Sequence, residues 1–239
     1  MTAKLFRFAA GALCAPLLLT ACTSVFGDVK ETWQYATAPK VDAELSPERI
    51  ANLPYTGIYV RRGDLPRAFV VLGFIDGEVP AERWQWVTAN REVLETQNGR
   101  VVRTFDIAPE LTGVSNLSED PLWCLQQQMQ QQRSTASCQQ PWLHQIDMRD
   151  DDARYTLQLT STFRQGEAES IELPTRFAQT VRWVEHVEVV SARRGMPREY
   201  INEYWLEDDG HIVKSIQHFV PGQAPIEWLE VKWIGRDDA

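Results

Sequence analysis

From Tyr55 onward, apolar and polar residues alternate in short runs separated by turn residues. "YTGIYVR" and "RAFVVLGFI" are apolar and β-branched, with Gly63-Asp64 between them, which is the composition of paired strands. "RWQWVT" sets Trp84 and Trp86 two residues apart, hence on one face of a strand. "EVLETQNGRVVRTFDI" carries the strongest hairpin signal, because Asn98-Gly99 supplies two residues that tolerate positive φ in a type I′ turn. Later runs repeat the pattern. "WLHQIDM" leads through the acidic turn "RDDDA" to "RYTLQLTSTF", where Tyr155, Leu157 and Leu159 share a face. "RFAQTVRWVEHVEVVS" alternates for much of its length, "EYINEYWLED" and "HIVKSIQHFV" flank an Asp209-Gly210 turn, and "PIEWLEVKWI" closes the chain. About ten to twelve strands joined by tight turns predict an antiparallel all-β domain, as a curved sheet forming either a sandwich or an open barrel. No βαβ rhythm is present, which excludes a doubly wound fold.

Two short helices are expected. In "LSPERIANLPY", Ser46 can cap, Pro47 suits the first helical position and Pro54 stops the helix. Residues 108–140 break the strand pattern: "GVSNLSEDPLW" is turn-rich and "LQQQMQQQRSTAS" is Gln-rich. Asp120 and Pro121 suit a helix start that would run through the glutamines; the alternative is a flexible polar insertion.

The N-terminus reads differently. Lys4 and Arg7 precede an apolar stretch too short to cross a bilayer, which needs about 20 residues, so residues 1–21 read as an export signal. Leu19-Thr20-Ala21-Cys22 matches the bacterial lipobox, which predicts a lipid on Cys22. Several acyl chains on one residue hold a protein far more firmly than one chain does. Thr23, rather than Asp, follows Cys22 and points to the outer membrane, on its periplasmic face. Residues 22–43 then form a lipidated tether, polar and irregular with Pro39, ahead of a single β-rich domain over residues 44–239.

Loss of residues 1–21 leaves 218 residues and moves the net charge from −9 to −11. This acidic balance excludes a nucleic-acid surface, which needs clustered Lys and Arg, and disfavours contact with an anionic membrane face. A neutral or cationic partner fits it. Cys14 leaves with the signal and Cys22 takes lipid. Cys124 and Cys138 remain, an even pair in an oxidising compartment and expected as a disulfide.

Catalytic motifs are missing from the sequence. No GxSxG, phosphate-cradling Gly loop or HExxH occurs. His144, His186, His211 and His218 have no metal-ligand spacing and read as scattered surface or edge residues; neither a metal nor a cofactor is expected. Carboxylates such as Glu119, Asp120, Glu185, Glu188 and Glu203 can be searched for a glycosidase pair, but the sequence does not place any two across a cleft. Nine tryptophans are unusual. Aromatic faces stack on sugars, and they also pack cores. Trp84 and Trp86 are the candidate glycan-binding pair.

"SPERIANLPYTGIYVRRGDLPRAFVVLGF", "GVSNLSEDPL" and "NEYWLEDDGHIVKSIQHFVPG" resemble the YjbF/GfcB family of lipoproteins, linked to group 4 capsule and exopolysaccharide operons. The resemblance covers most of residues 44–235 in the same order, and the Gln-rich segment over 124–138 departs from it. It implies a predominantly β fold and an outer-membrane lipoprotein in polysaccharide production or export, and it supplies no catalytic residues. The leading expectation is a non-enzymatic accessory that contacts polysaccharide or export-machinery proteins. A lipid or lipoprotein carrier would instead need an apolar concave face with residues such as Val70, Leu72 and Trp183, and a periplasmic glycan hydrolase would need paired carboxylates, one with a raised pKa.

Overall fold

A computed structural model describes residues 41–192 and 194–236. The expected N-terminal lipid site, Cys22, and nearly all of the tether lie outside these residues. The tether's last residues do not: Ala43 N donates to Arg67 O at 2.7 Å, and the Asp42 carboxylate takes Arg67 N at 2.8 Å and pairs with Arg61.

The first meander comprises β1 (Gly57–Arg62), β2 (Ala68–Asp76), β3 (Arg83–Val87), β4 (Val93–Gln97) and β5 (Arg100–Phe105). The second comprises β6 (Glu110–Val114), β7 (Trp142–Asp150), β8 (Ala153–Glu172), β9 (Phe177–Val189), β10 (Glu199–Leu206), β11 (Ile212–Gln217) and β12 (Ile226–Lys232). All twelve lie in one antiparallel sheet of order β5-β4-β3-β2-β1-β12-β11-β10-β9-β8-β7-β6. The first and last strands of the chain therefore pair inside the sheet, with Tyr59 opposite Leu229 and Val60 opposite Trp228.

The sheet's two edges are β5 and β6, which are consecutive in the chain. They are sewn together by side chains instead of a ladder: Arg103 Nε donates to Thr112 O at 3.0 Å, and Leu111 N donates to Thr104 Oγ1 at 3.0 Å. The sheet thus wraps into a nearly closed barrel, and of the two expected forms the barrel is the one adopted.

Local chemistry explains the strands. The Asn98-Gly99 turn takes φ of 51° and 80°, as a type I′ hairpin requires. β9 turns Ala178, Thr180, Trp183, Glu185, Val187 and Val189 into buried positions, while Gln179, His186 and Glu188 are exposed. β6 lies in the stretch where no strand is expected; "ELTGV" is short and set among turn residues, so its alternation is faint.

Both expected helices form. In α1 (Pro47–Ala51), Ser46 Oγ accepts from Arg49 N at 3.3 Å. Ile50 and Leu53 pack with Tyr59 and Val231 in a small cluster of their own. In α2 (Pro121–Gln130), Asp120 Oδ1 accepts from Leu122 N at 2.9 Å, and Leu122 and Leu125 are fully buried in the main core. The glutamines thus belong to a plug helix whose apolar side is driven into the core. Cys124 and Cys138 form a disulfide, Cα–Cα 5.5 Å, tying α2 to the 3₁₀ turn Ala136–Gln139.

Candidate functional site

The antiparallel topology gathers the β2–β3, β4–β5 and β10–β11 turns at one end of the barrel. A cavity of about 180 Å³ opens there. Trp84 and Trp86 reach it from β3, Thr96 from β4, Gln126 from α2, His211 and Ile212 from β11 and its turn, and Trp228 and Trp233 from β12 and the residue after it. Asn98, Gly99 and Gly210 bring turn backbone to its wall, and Glu82 stands just before β3.

Trp84 and Trp233 stack at 5.0 Å and 23°. Trp86 lies tilted against both, at 6.1 and 6.0 Å. The His211 ring meets Trp233 edge-on at 4.5 Å, and its Nε2 pairs with Glu230. The Trp86 indole donates to Thr96 Oγ1 at 3.0 Å and the Trp84 indole to Glu82 Oε2 at 3.4 Å. Trp228 is 4% exposed, and its buried Nε1 has no acceptor among the described residues. Behind His211, Glu230 is also held by Arg176 at 2.9 Å; Arg176 and Arg236 both bind Glu207, and Arg236 pairs with Asp209. Among the described residues, the wall is thus aromatic with a few polar atoms, the arrangement that stacks on a sugar ring and hydrogen-bonds its hydroxyls.

The expected pair Trp84 and Trp86 therefore does share a pocket. Trp228, Trp233 and His211 were beyond the reach of the sequence pattern, because β12 and the β10–β11 turn reach β3 only through the ring of strand pairings.

The searched carboxylates fall apart. Glu119 accepts from Asn116 at 2.9 Å near the surface, Glu188 is exposed on β9, and Glu203 pairs with Arg182 at 3.2 Å. Asp120 and Glu185 do converge, but on a cation. Arg100 Nε and Nη2 bind the two Asp120 oxygens at 2.6 and 2.9 Å, and Nη1 reaches Glu185 Oε2 at 3.1 Å. Asn202 Nδ2 and Tyr204 Oη donate to the same Glu185 oxygen at 2.9 and 3.1 Å. Burial alone would raise the Glu185 pKa; Arg100 and the Asn202 hydrogen bond outweigh it and hold the carboxyl below its ordinary value. A general acid needs the opposite shift. Burial, with Glu185's charge, pushes Tyr200 up.

One expectation about the histidines is corrected. His144 is neither a surface nor an edge residue: it is 7% exposed and stacked on Trp142 at 3.7 Å. β7 alternates strictly, and its inward row takes His144 between Trp142 and Ile146. Burial and the nearby Arg100 charge push its pKa down to about 4. Among the described residues, His144 Nδ1 and Glu185 Oε1 have no hydrogen-bond partner; both are buried beside a cavity of about 20 Å³, room for about one water. Of the residues expected on a lipid carrier's concave face, Val70 and Trp183 are core residues at 1% exposure, and Leu72 is half-buried against the same core.

Over residues 29–229 the chain matches the family described as "Group 4 capsule polysaccharide lipoprotein gfcB, YjbF". It is 26% identical to the Escherichia coli K12 lipoprotein GfcB over 219 residues, 90% of this chain and 94% of that protein. It is 28% identical to the Escherichia coli K12 lipoprotein YjbF, also over 219 residues, 90% of this chain and 93% of that one. The crystal structure of the Escherichia coli K12 lipoprotein YmcC shares the fold, with a TM-score of 0.68 at 24% identity over 86% of this chain and 95% of that one.

Proposed function

We propose, since the chain belongs to the group 4 capsule polysaccharide lipoprotein family of GfcB and YjbF, that it is a non-enzymatic accessory in exopolysaccharide or capsule production or export, binding glycan directly in the tryptophan pocket. The observation that carries the reading is the pocket itself: Trp84, Trp86, Trp228 and Trp233 line one cavity together with Glu82, Asn98 and Gln126. A sugar offers an apolar face to the indoles and hydroxyls to the polar atoms. Lipid on Cys22 would hold the protein in the outer membrane, facing the periplasm, where nascent polymer and export-machinery proteins are within reach. Glu185's lowered pKa and the Arg100 bonds to both buried carboxylates favour binding over acid–base chemistry.

The test is a titration of the purified full chain with the cell's own exported polysaccharide while tryptophan fluorescence is followed. A saturable change, weakened at least tenfold in Trp84→Ala, is expected. An unresponsive spectrum at high polymer concentration would remove direct glycan binding and leave action through protein partners.

A further inference from the structure

We infer, building on the glycan reading above, that the tryptophan pocket selects a sugar residue carrying a free, positively charged amine. Three features of the wall converge on this. First, none of the described lining residues is Lys or Arg, and Glu82 supplies the carboxylate. Second, the polar side chains offer acceptors. Asn98 Nδ2 donates to Pro80 O at 3.1 Å and Gln126 Nε2 to Asn98 O at 3.0 Å, and each amide carries an oxygen able to accept from a ligand. The imidazole on the wall, His211, has its Nε2 engaged by Glu230, and Glu230 is in turn held by Arg176. Third, indole faces carry the negative side of the ring quadrupole and attract a cation placed over them. Acceptor oxygens, indole faces and one carboxylate suit an ammonium, whereas a uronate or phosphate would meet Glu82 with no lining cation to balance it.

An amine can come from an amino sugar or from an ethanolamine headgroup. The structure favours the sugar. Trp84, Trp86, Trp228 and Trp233 line one cavity, and a pyranose ring offers these indoles an apolar face that a two-carbon ethanolamine lacks. The cavity, about 180 Å³, falls below the roughly 300–1,000 Å³ of sites for drug-sized ligands, so it takes about one sugar residue.

The experiment titrates the purified full chain, by tryptophan fluorescence, with a glucosamine tetramer, an N-acetylglucosamine tetramer and glycerophosphoethanolamine. The glucosamine tetramer should bind about tenfold more tightly than its acetylated counterpart, the order of a desolvated cation–π contact. In Glu82→Gln the ratio of the two affinities should collapse toward one, whatever the absolute affinities become; a preference that survives in this variant would overturn the amine inference. A glutamine oxygen can still accept from the Trp84 indole, so this variant keeps the local bond. Equal binding of the two tetramers would overturn the amine inference and leave the glycan reading standing. Response to glycerophosphoethanolamine alone would assign the amine to a headgroup and overturn the amino sugar. Silence toward both tetramers, together with silence toward the exported polysaccharide, would remove both readings.

Discussion

Arg100 binds two buried carboxylates at once, and around it the interior is organised as a charge network inside an apolar shell. Its guanidinium also lies 4.6 Å from the Trp142 ring, on whose neighbour His144 it acts electrostatically. The consequence is measurable. With His144 pushed from 6.5 to about 4 in the folded chain, the unfolded chain binds the extra proton between those pH values. Folding stability is therefore complete above pH 6.5 and falls as pH drops toward 4, by up to roughly 3 kcal/mol from this residue. Glu185, held below its ordinary value, adds a loss of the same sign at lower pH. Urea midpoints at pH 7 and pH 4.5 should show the fall, and His144→Phe should flatten it; an unchanged slope in the variant would place the effect elsewhere. At this scale the sequence was half legible. The i, i+2 spacing was enough to pair Trp84 with Trp86, since alternation alone sets which face they share. Glu185 also left a signal: it occupies the inward row of Val181, Trp183, Val187 and Val189, where a carboxylate demands a partner. Which cation answers it could not be read, because Arg100 is 85 residues away.

Turns and the plug helix bring the elements together. Gly210 has φ of 83°, and a Cβ there would meet the backbone oxygen of Gln126 at 2.7 Å. The β10–β11 turn thus presses directly on α2 beside the pocket. Gly210→Ala should lower stability by about 1–3 kcal/mol, the cost of a side chain in the left-handed region, and should weaken glycan binding by shifting α2. Paired urea melts and titrations check both, and a destabilised variant with intact binding would show that the helix position does not shape the pocket. The disulfide fixes the other end of this arrangement by joining α2 to the Ala136–Gln139 turn. Alternation, Asn98-Gly99 and the Asp120-Pro121 cap made most elements readable, because each is a local decision. β6 was not, since a five-residue strand between turn residues draws its stability from β7 across the ladder.

For the whole molecule, family membership and the N-terminal motif bear on location. Cys22→Ser should move the protein from the membrane fraction to the soluble periplasmic fraction and abolish labelling by a radioactive fatty acid. Retention of both in the variant would show that the anchor is not on Cys22. An all-β antiparallel fold was legible from the rhythm of the sequence. Closure into a barrel was not: it rests on the β1–β12 pairing and on side-chain stitches between β5 and β6, which no local pattern encodes.

The β1–β12 pairing has a consequence for how the chain is made. A polypeptide synthesised N-terminus first delivers β1 long before β12. Until Ile226–Lys232 emerges, β1 and β11 each present a bare edge able to recruit any passing strand. The last strand is the keystone of the ring, so a chain that stalls or is clipped short of it leaves two open meanders rather than a slightly smaller barrel. Chaperones that shield strand edges would act in that interval, and premature release would expose both edges to aggregation.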